Sequence, residues 1–430
     1  AAVTARRSNG RGPLTSKEIR KLAERIRAEQ DPSGGWMYNA VHTSLNLMAL
    51  IASGMSVDDP VAQRAHTFLI GQMSDTSEDA STLSAFTCEL WNTSCGVRTL
   101  SRITQTARDQ DRLALAAEAM LAEQSPTGGF SFGAGSPGTA DADCTAFILR
   151  GLLAAGTCVG TETGDCIVHS VERGIPFVLR RQDASGGFAI WKSSLPWRQT
   201  RTPPLLLQLL FDRPSTDVTA RVFATLAIAG LRPDSRPMLN ALRFLLRAQH
   251  RNGAWWSAWL PGHVYGTTSV LLSLGEAGLR PDHANTWPAR ARRDALRAVE
   301  RGVAFLRAHQ NDDGGWGGCP DEDSGKCPPG IGPSGPLRTG SVISALLACG
   351  VPPDDPMITR AVACLLEGRS GEGEWSDLDS LFTFVCGHFY YPYPFFNLVL
   401  PLDGLNDWLR AIGEPAGDVA SSTIARAYTT

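Results

Sequence analysis

The stretch Gln124-Ser-Pro-Thr-Gly-Gly-Phe130 decides the fold, because the chain repeats its pattern along its length. It appears first as Gln30-Asp-Pro-Ser-Gly-Gly-Trp36. It returns as Gln182-Asp-Ala-Ser-Gly-Gly-Phe188, Gln249-His-Arg-Asn-Gly-Ala-Trp255 and Gln310-Asn-Asp-Asp-Gly-Gly-Trp316, with a worn copy from Glu367 to Trp375. From Gln124 onward the steps between glutamines are 58, 67 and 61 residues. A period of that size marks stacked supersecondary units, each longer than one helix. A motif that recurs in every unit reads as structural: the Gln caps backbone at a helix end and the aromatic stacks beside it.

Each unit has the same grammar. A helical stretch precedes the Gln, as in 240–249, with Leu242, Leu245 and Leu246 on one face. The glycines let the backbone turn. A more apolar helix follows, such as 219–231 or 267–279, and its lack of a polar face makes it the buried partner. Strand signals are weak. Alternation of outer and inner helices predicts an all-α fold, an (α/α)6-type barrel. Inner helices are expected to start near His42, Trp91, Asp143, Thr219, Tyr265 and Thr339. Residues 1–13 are polar and basic and read as a flexible segment, and 14–430 read as one catalytic barrel.

The bulk numbers fit a single large body. The chain has 430 residues, 43% of them hydrophobic, and a net charge of −3. Near-neutral charge gives no footprint for nucleic acid. No apolar run reaches membrane-spanning length. The ten cysteines form no CxxC pair and no zinc-finger spacing. They read as mostly reduced, buried thiols of a cytoplasmic protein, although Cys158/Cys166 and Cys319/Cys327 are each close enough in sequence to bridge.

Chemistry concentrates at Asp141-Ala-Asp143-Cys144-Thr145-Ala146, where an inner helix should begin. Aspartates there have a plain alternative role, capping free N–H groups. Three features argue for more. Aromatics sit near the Gly/Pro loops and inner-helix starts: Phe132, Trp255, Trp259, Tyr265, Phe389 and Phe395 among them. Their faces can stabilise a cation. Asp217, in Ser215-Thr-Asp217-Val-Thr219-Ala-Arg221, repeats the register of Asp143 and would open on the same end of the barrel.

The third feature is resemblance. The chain resembles class II terpene cyclases, the group of squalene–hopene cyclases, oxidosqualene cyclases and copalyl diphosphate synthases. Gln-x-x-x-Gly-x-Trp is that group's hallmark, and its Asp-x-Asp-Asp-Thr-Ala acid motif stands here with Cys144 in the fourth position. The resemblance implies that Asp143 is the general acid and that Asp141 and Cys144 are its hydrogen-bonding neighbours. It implies that Asp217, Arg221 and Tyr265 support the site, and that Phe132, Trp259, Trp255, Phe389 and Phe395 line the cation's path. Arg221 stands where bacterial triterpene cyclases have His. An arginine beside Asp143 would over-stabilise its carboxylate, so Arg221 is expected to pair with Asp217 or Asp141. The likeness covers the domain called β. The second barrel, γ, is expected to be absent or reduced to a remnant near 37–115.

The expected partner is a linear isoprenoid: a C15–C20 prenyl compound, prenyl diphosphate or meroterpenoid precursor in preference to squalene. No cofactor is needed for the protonation, and magnesium enters only with a diphosphate. No metal site is expected; Asp321-Glu322-Asp323 reads as a solvated run, and Arg198, Arg201 and Arg213 as a solvated loop or diphosphate contacts. The location is cytoplasmic or membrane-peripheral. Two rivals remain. One is a zinc protein-prenyltransferase β-like enzyme, with His388 as the nearest ligand. The other is a non-catalytic isoprenoid-binding barrel.

Overall fold

The computed structural model describes residues 15–36, 40–77, 80–83, 88–103, 106–133, 140–190, 213–283, 286–319, 322, 325–370, 373, 375, 381–385 and 389–413. Among the described residues, six inner helices form a closed ring and five outer helices surround it. In chain order the inner helices are Glu89–Leu100, Ala142–Ala155, Thr216–Ile228, His263–Glu276, Pro336–Ala348 and Pro394–Ala411. Each packs on the next, and the last returns to the first. The outer helices are Ala107–Ala122, Thr161–Leu179, Arg236–Ala248, Ala289–Ala308 and Pro356–Glu367. Two short antiparallel hairpins, Met73–Ser77 with Ala80–Leu83 and Leu381–Val385 with Phe389–Pro392, interrupt the helical order.

The repeat has a definite bonding role, seen five times. Each Gln amide donates to two carbonyls, one in its own motif and one in a later helix outside the ring. Gln124 Nε2 reaches Gly128 O and Ser170 O, both at 2.9 Å. Gln182, Gln249, Gln310 and Gln30 do the same with Gly186/Pro237, Gly253/Ala298, Gly314/Met357 and Gly34/Val61. The motif aromatic then offers its backbone N–H to a threonine in the following helix. Phe130, Phe188, Trp255, Trp316 and Trp36 donate to Thr145, Thr219, Thr267, Thr339 and Thr43 at 2.8–3.1 Å. The tryptophans add an indole bond to a carbonyl ten residues back, as Trp255 to Leu245 O at 2.7 Å. One heptapeptide thus joins three helices. At Gly128, φ is +93° and a Cβ would lie 2.4 Å from Arg173 O, so only glycine fits.

Inner helices are buried nearly all round; Ala142 to Leu152 are all buried. Small residues let them approach closely. A Cβ on Gly340 would meet Leu400 O at 2.4 Å, and one on Gly404 would meet Gly340 O at 2.5 Å. That contact seats the sixth inner helix, Pro394–Ala411.

Two expectations about the ring are corrected. The helix Ala40–Ala52, at His42, lies outside it. It packs chiefly on Ser16–Ala28 and Pro60–Gly71, around a small separate core of Trp36, Leu50, Val61 and Ala65. Its place is taken by Pro394–Ala411, a stretch in which the sequence had marked only the aromatic Phe395. The cysteine reading is also revised at one point: Cys319 and Cys327 form a disulfide, while Cys158 and Cys166 are free.

Candidate active site

Inner helices all begin at one end of the barrel, and Asp143 is the second residue of its helix. Asp141 is that helix's N-cap, and its Oδ1 accepts Cys144 N–H at 2.8 Å. Both carboxyls are buried. Asp143 makes a two-pronged ion pair: Arg221 Nε donates to Oδ1 and Nη2 to Oδ2, each at 2.7 Å. This corrects the expected pairing of Arg221 with Asp217 or Asp141. The two helices pack side by side, and Arg221 lies four residues, one turn, beyond Asp217, which carries it past that residue to Asp143.

Asp217 is fully buried and satisfied elsewhere. It accepts Ser215 Oγ at 2.6 Å, Ser257 Oγ at 2.9 Å and Trp259 N–H at 3.1 Å. Its function is to anchor the 255–262 loop. Burial, and then the charge of Asp143, pushes Asp141 up to about 7 against the effect of its bond with Cys144. The Cys144 thiol is raised well above its ordinary value by burial and by both aspartates, so it remains a donor to Asp141. Burial opposes charge on Arg221, but Asp143 outweighs it and the guanidinium stays firmly protonated. Tyr265 is buried and its phenol raised by that burial, with Ser269 bonded to it.

Aromatic rings surround the ion pair, and one of them has no motif to announce it. Trp91 stacks flat on Phe147, with ring centroids 3.8 Å apart and planes 2° from parallel, and Phe132 stands 5.4 Å away. Arg221 Cζ lies 5.7 Å over the Trp91 ring, and Arg98 Cζ 5.6 Å over Phe147. Deeper in the barrel is a cavity of about 80 Å³ touched by all six inner helices, with Cys95, Phe147, Arg221, Tyr265, Ser341 and Asp403 among its walls. At its far end Arg102 pairs with Asp407 at 3.2 Å and approaches Asp403 at 3.7 Å, and Arg150 pairs with Glu276. Sequence reasoning missed Trp91, Phe147 and these arginines.

Several expected residues are placed differently. Trp255 belongs to the wall, not the cation path: it is the repeat's aromatic, fully buried, with its ring against Gly302 on an outer helix. Trp259 is half-buried against the core and bonded through its backbone to Asp217. Phe395 is half-buried in the sixth inner helix, next to the cavity residue Phe396. Phe389 begins a strand of the second hairpin. Glu322 is not solvated: it is buried, accepts His263 N–H at 3.0 Å and meets His263 Nδ1 at 2.7 Å. Burial alone would raise its carboxyl, but His263 holds it lowered. Arg198, Arg201, Asp321, Asp323 and His388 lie outside the described residues. Among the described residues no group of three or more His, Cys, Asp or Glu is gathered to hold a metal.

A closed six-membered ring of inner helices, this repeat and paired aspartates at its mouth define a class of protein, and the comparisons agree. Residues 87–410 match the family described as squalene-hopene cyclase C-terminal domain, and the chain belongs to that family, within the class II terpene cyclases. It is 26% identical to a terpene cyclase–glycosyl transferase fusion protein of Humicola fuscoatra, over 95% of this chain and 32% of that protein. It is 27% identical to a squalene–hopene cyclase of Zymomonas mobilis, over 58% of this chain and 36% of that one. The chain therefore spans about a third of the length of these curated relatives. Its fold is similar to that of ent-copalyl diphosphate synthase from Streptomyces platensis, with TM-score 0.56 and 15% identity over 94% of this chain and 73% of that one. It is also similar to the type II terpene cyclase MstE from Scytonema, with TM-score 0.51 and 15% identity over 92% and 99%. Protonation chemistry of this class needs no cofactor. Among the described residues no helix is long and apolar enough to cross a membrane.

Proposed function

We propose that this chain cyclises a linear isoprenoid by protonating it, with Asp143 as the general acid. The observation that carries the reading is a pair of buried aspartates, Asp141 and Asp143, at an inner-helix start beside stacked aromatics; the Arg221 fork favours the carboxylate and opposes the step. In the proposed step an alkene π pair takes the proton from Asp143, leaving a tertiary cation and a carboxylate. Internal alkenes then attack in turn, and loss of a proton or capture of water ends the sequence. A fixed cation beside a carboxyl stabilises the anion that transfer leaves behind. The Arg221 fork is therefore the product side of the step; for donation, the proton must replace one of its two bonds. Phe132, tilted beside Trp91, offers a ring to a migrating cation.

The favoured substrate is a C15–C20 prenyl compound or a meroterpenoid precursor, ahead of squalene. MstE, which shares the fold, is described with geranylgeranyl dihydroxybenzoate as its substrate. A diphosphate substrate would bring magnesium, for which the described residues gather no ligand set. In this reading the ring from Glu89 onward is the catalytic barrel; the remnant of a second barrel, expected near 37–115, stops short of the ring helix Glu89–Leu100 and falls in the described residues before it. Exposed Leu45, Met48 and Ile51 on that remnant suit delivery from a membrane surface. The test is incubation with farnesyl, geranylgeranyl, prenylated-benzoate and squalene substrates, read by mass spectrometry. Cyclic isomers from a C15–C20 chain support the reading; turnover of squalene alone corrects the size; zinc-dependent prenyl transfer to a thiol overturns it.

A further inference from the structure

We propose that Trp91 is a positioning residue that holds the Arg221 guanidinium in its fork on Asp143, a role that rests on Asp143 being the acid. Arginine has a long stem and many rotamers, and the fork needs its plane aligned with the carboxylate. Arg221 comes from the helix beside Asp143, so one partner alone leaves it free to swing down into the cavity that it also lines. Trp91, from the third helix at this corner, closes that direction with its indole face at 5.7 Å. The indole is itself held. It lies flat on Phe147, which stands one turn below Asp143 on the same helix. A second guanidinium, Arg98, lies over Phe147. Two stacked rings thus stand between two cations, and the ring under Arg221 is indexed to the helix that carries the acid. The aromatic face attracts the cation without offering an oxygen, so it steadies Arg221 and leaves the Nε/Nη2 edge to Asp143.

A crystal structure of Trp91→Leu tests this without needing turnover. The expected result is that Arg221 Nε and Nη2 no longer both lie within hydrogen-bond distance of Asp143. Kinetics supply the second arm. Trp91→Leu should lower kcat about 30-fold with KM changed less than about threefold, as expected for misplacement at the reacting centre. Trp91→Phe keeps a π face and should recover most of that loss, which separates the role from simple folding. In an Arg221→Ala background Trp91→Leu should add less than about twofold, because the two act through one contact. An intact fork in the Trp91→Leu structure overturns the proposal, and so do effects that multiply, which would mark Trp91 as a direct cation contact. If the wild-type chain turns over none of the substrates, the proposed function fails while the crystal structure still decides the role of Trp91.

Discussion

The helices starting at Asp143 and Asp217 are two copies of one device put to different use. Each carries Asp-x-Thr-Ala, and each threonine accepts the N–H of a motif aromatic, Phe130 or Phe188. Even the short bridges match, Phe130 with Asp141 and Phe188 with Ser215. The carboxylates then diverge. Asp217 spends its acceptors on two hydroxyls and an amide, and so fixes a loop. Asp143 spends both oxygens on one cation, Arg221; in the proposed function a proton takes the place of one of these bonds. The repeat determines where a carboxylate stands; the neighbouring helix determines what it does.

Substitutions should separate the two. Asp143→Asn keeps the volume and one acceptor, and should lower turnover about 10³-fold, the usual share of a general acid. Steady-state kinetics on the accepted substrate read this. Asp217→Ala strands three donors and should cost about 3 kcal/mol of stability in urea unfolding, with turnover falling only as far as the 255–262 loop shifts. Equal activity losses in both variants would erase the distinction.

Asp141 sharpens the comparison through pH. Its proton is held more tightly folded than unfolded, because burial and Asp143 push it up to about 7. Its contribution to stability is therefore complete below the ordinary carboxylate range and is lost as pH rises through about 7. Asp141→Asn should unfold with a flatter pH dependence between about pH 4 and 7 than the parent chain. An unchanged slope would show that Asp141 titrates normally. The smallest effect should be shared: Thr145→Val and Thr219→Val each leave a motif aromatic's buried N–H without its acceptor and should cost about 1–2 kcal/mol for that bond, with Thr145 losing in addition its bond to Asp141 O. A clearly smaller cost for Thr145→Val than for Thr219→Val would mean that the two helix starts are not equivalent supports.

Much of this was legible because the repeat is periodic. Gln, Gly and an aromatic at fixed offsets force the same three-helix junction, so outer and inner helices could be assigned from spacing alone. The errors have physical causes. The Ala40–Ala52 helix carries the full signature, Gln30 through Thr43, yet packs outside the ring. The sixth inner helix follows only the worn copy, starts at Pro394 and contains Pro401, so periodicity hid it. At the site, register set Asp217 beside Asp143, and the family resemblance added Arg221 and Tyr265. The partner of Arg221 was misread because the cost of stabilising the Asp143 carboxylate was weighed without the packing of the two helices, which brings the guanidinium onto Asp143. Trp91 had no motif to mark it, and Glu322 looked solvated because its run is acidic, whereas His263 draws it inward.

The central claim is that Asp143 delivers a solvent-exchangeable proton to carbon. Turnover of a prenyl substrate in D2O, with the product analysed by mass spectrometry and NMR, tests it most directly. The account predicts a cyclic product carrying deuterium at the carbon protonated first, formed by the parent chain and lost with Asp143→Asn. A cyclic product without solvent deuterium there, or full turnover by Asp143→Asn, would contradict it.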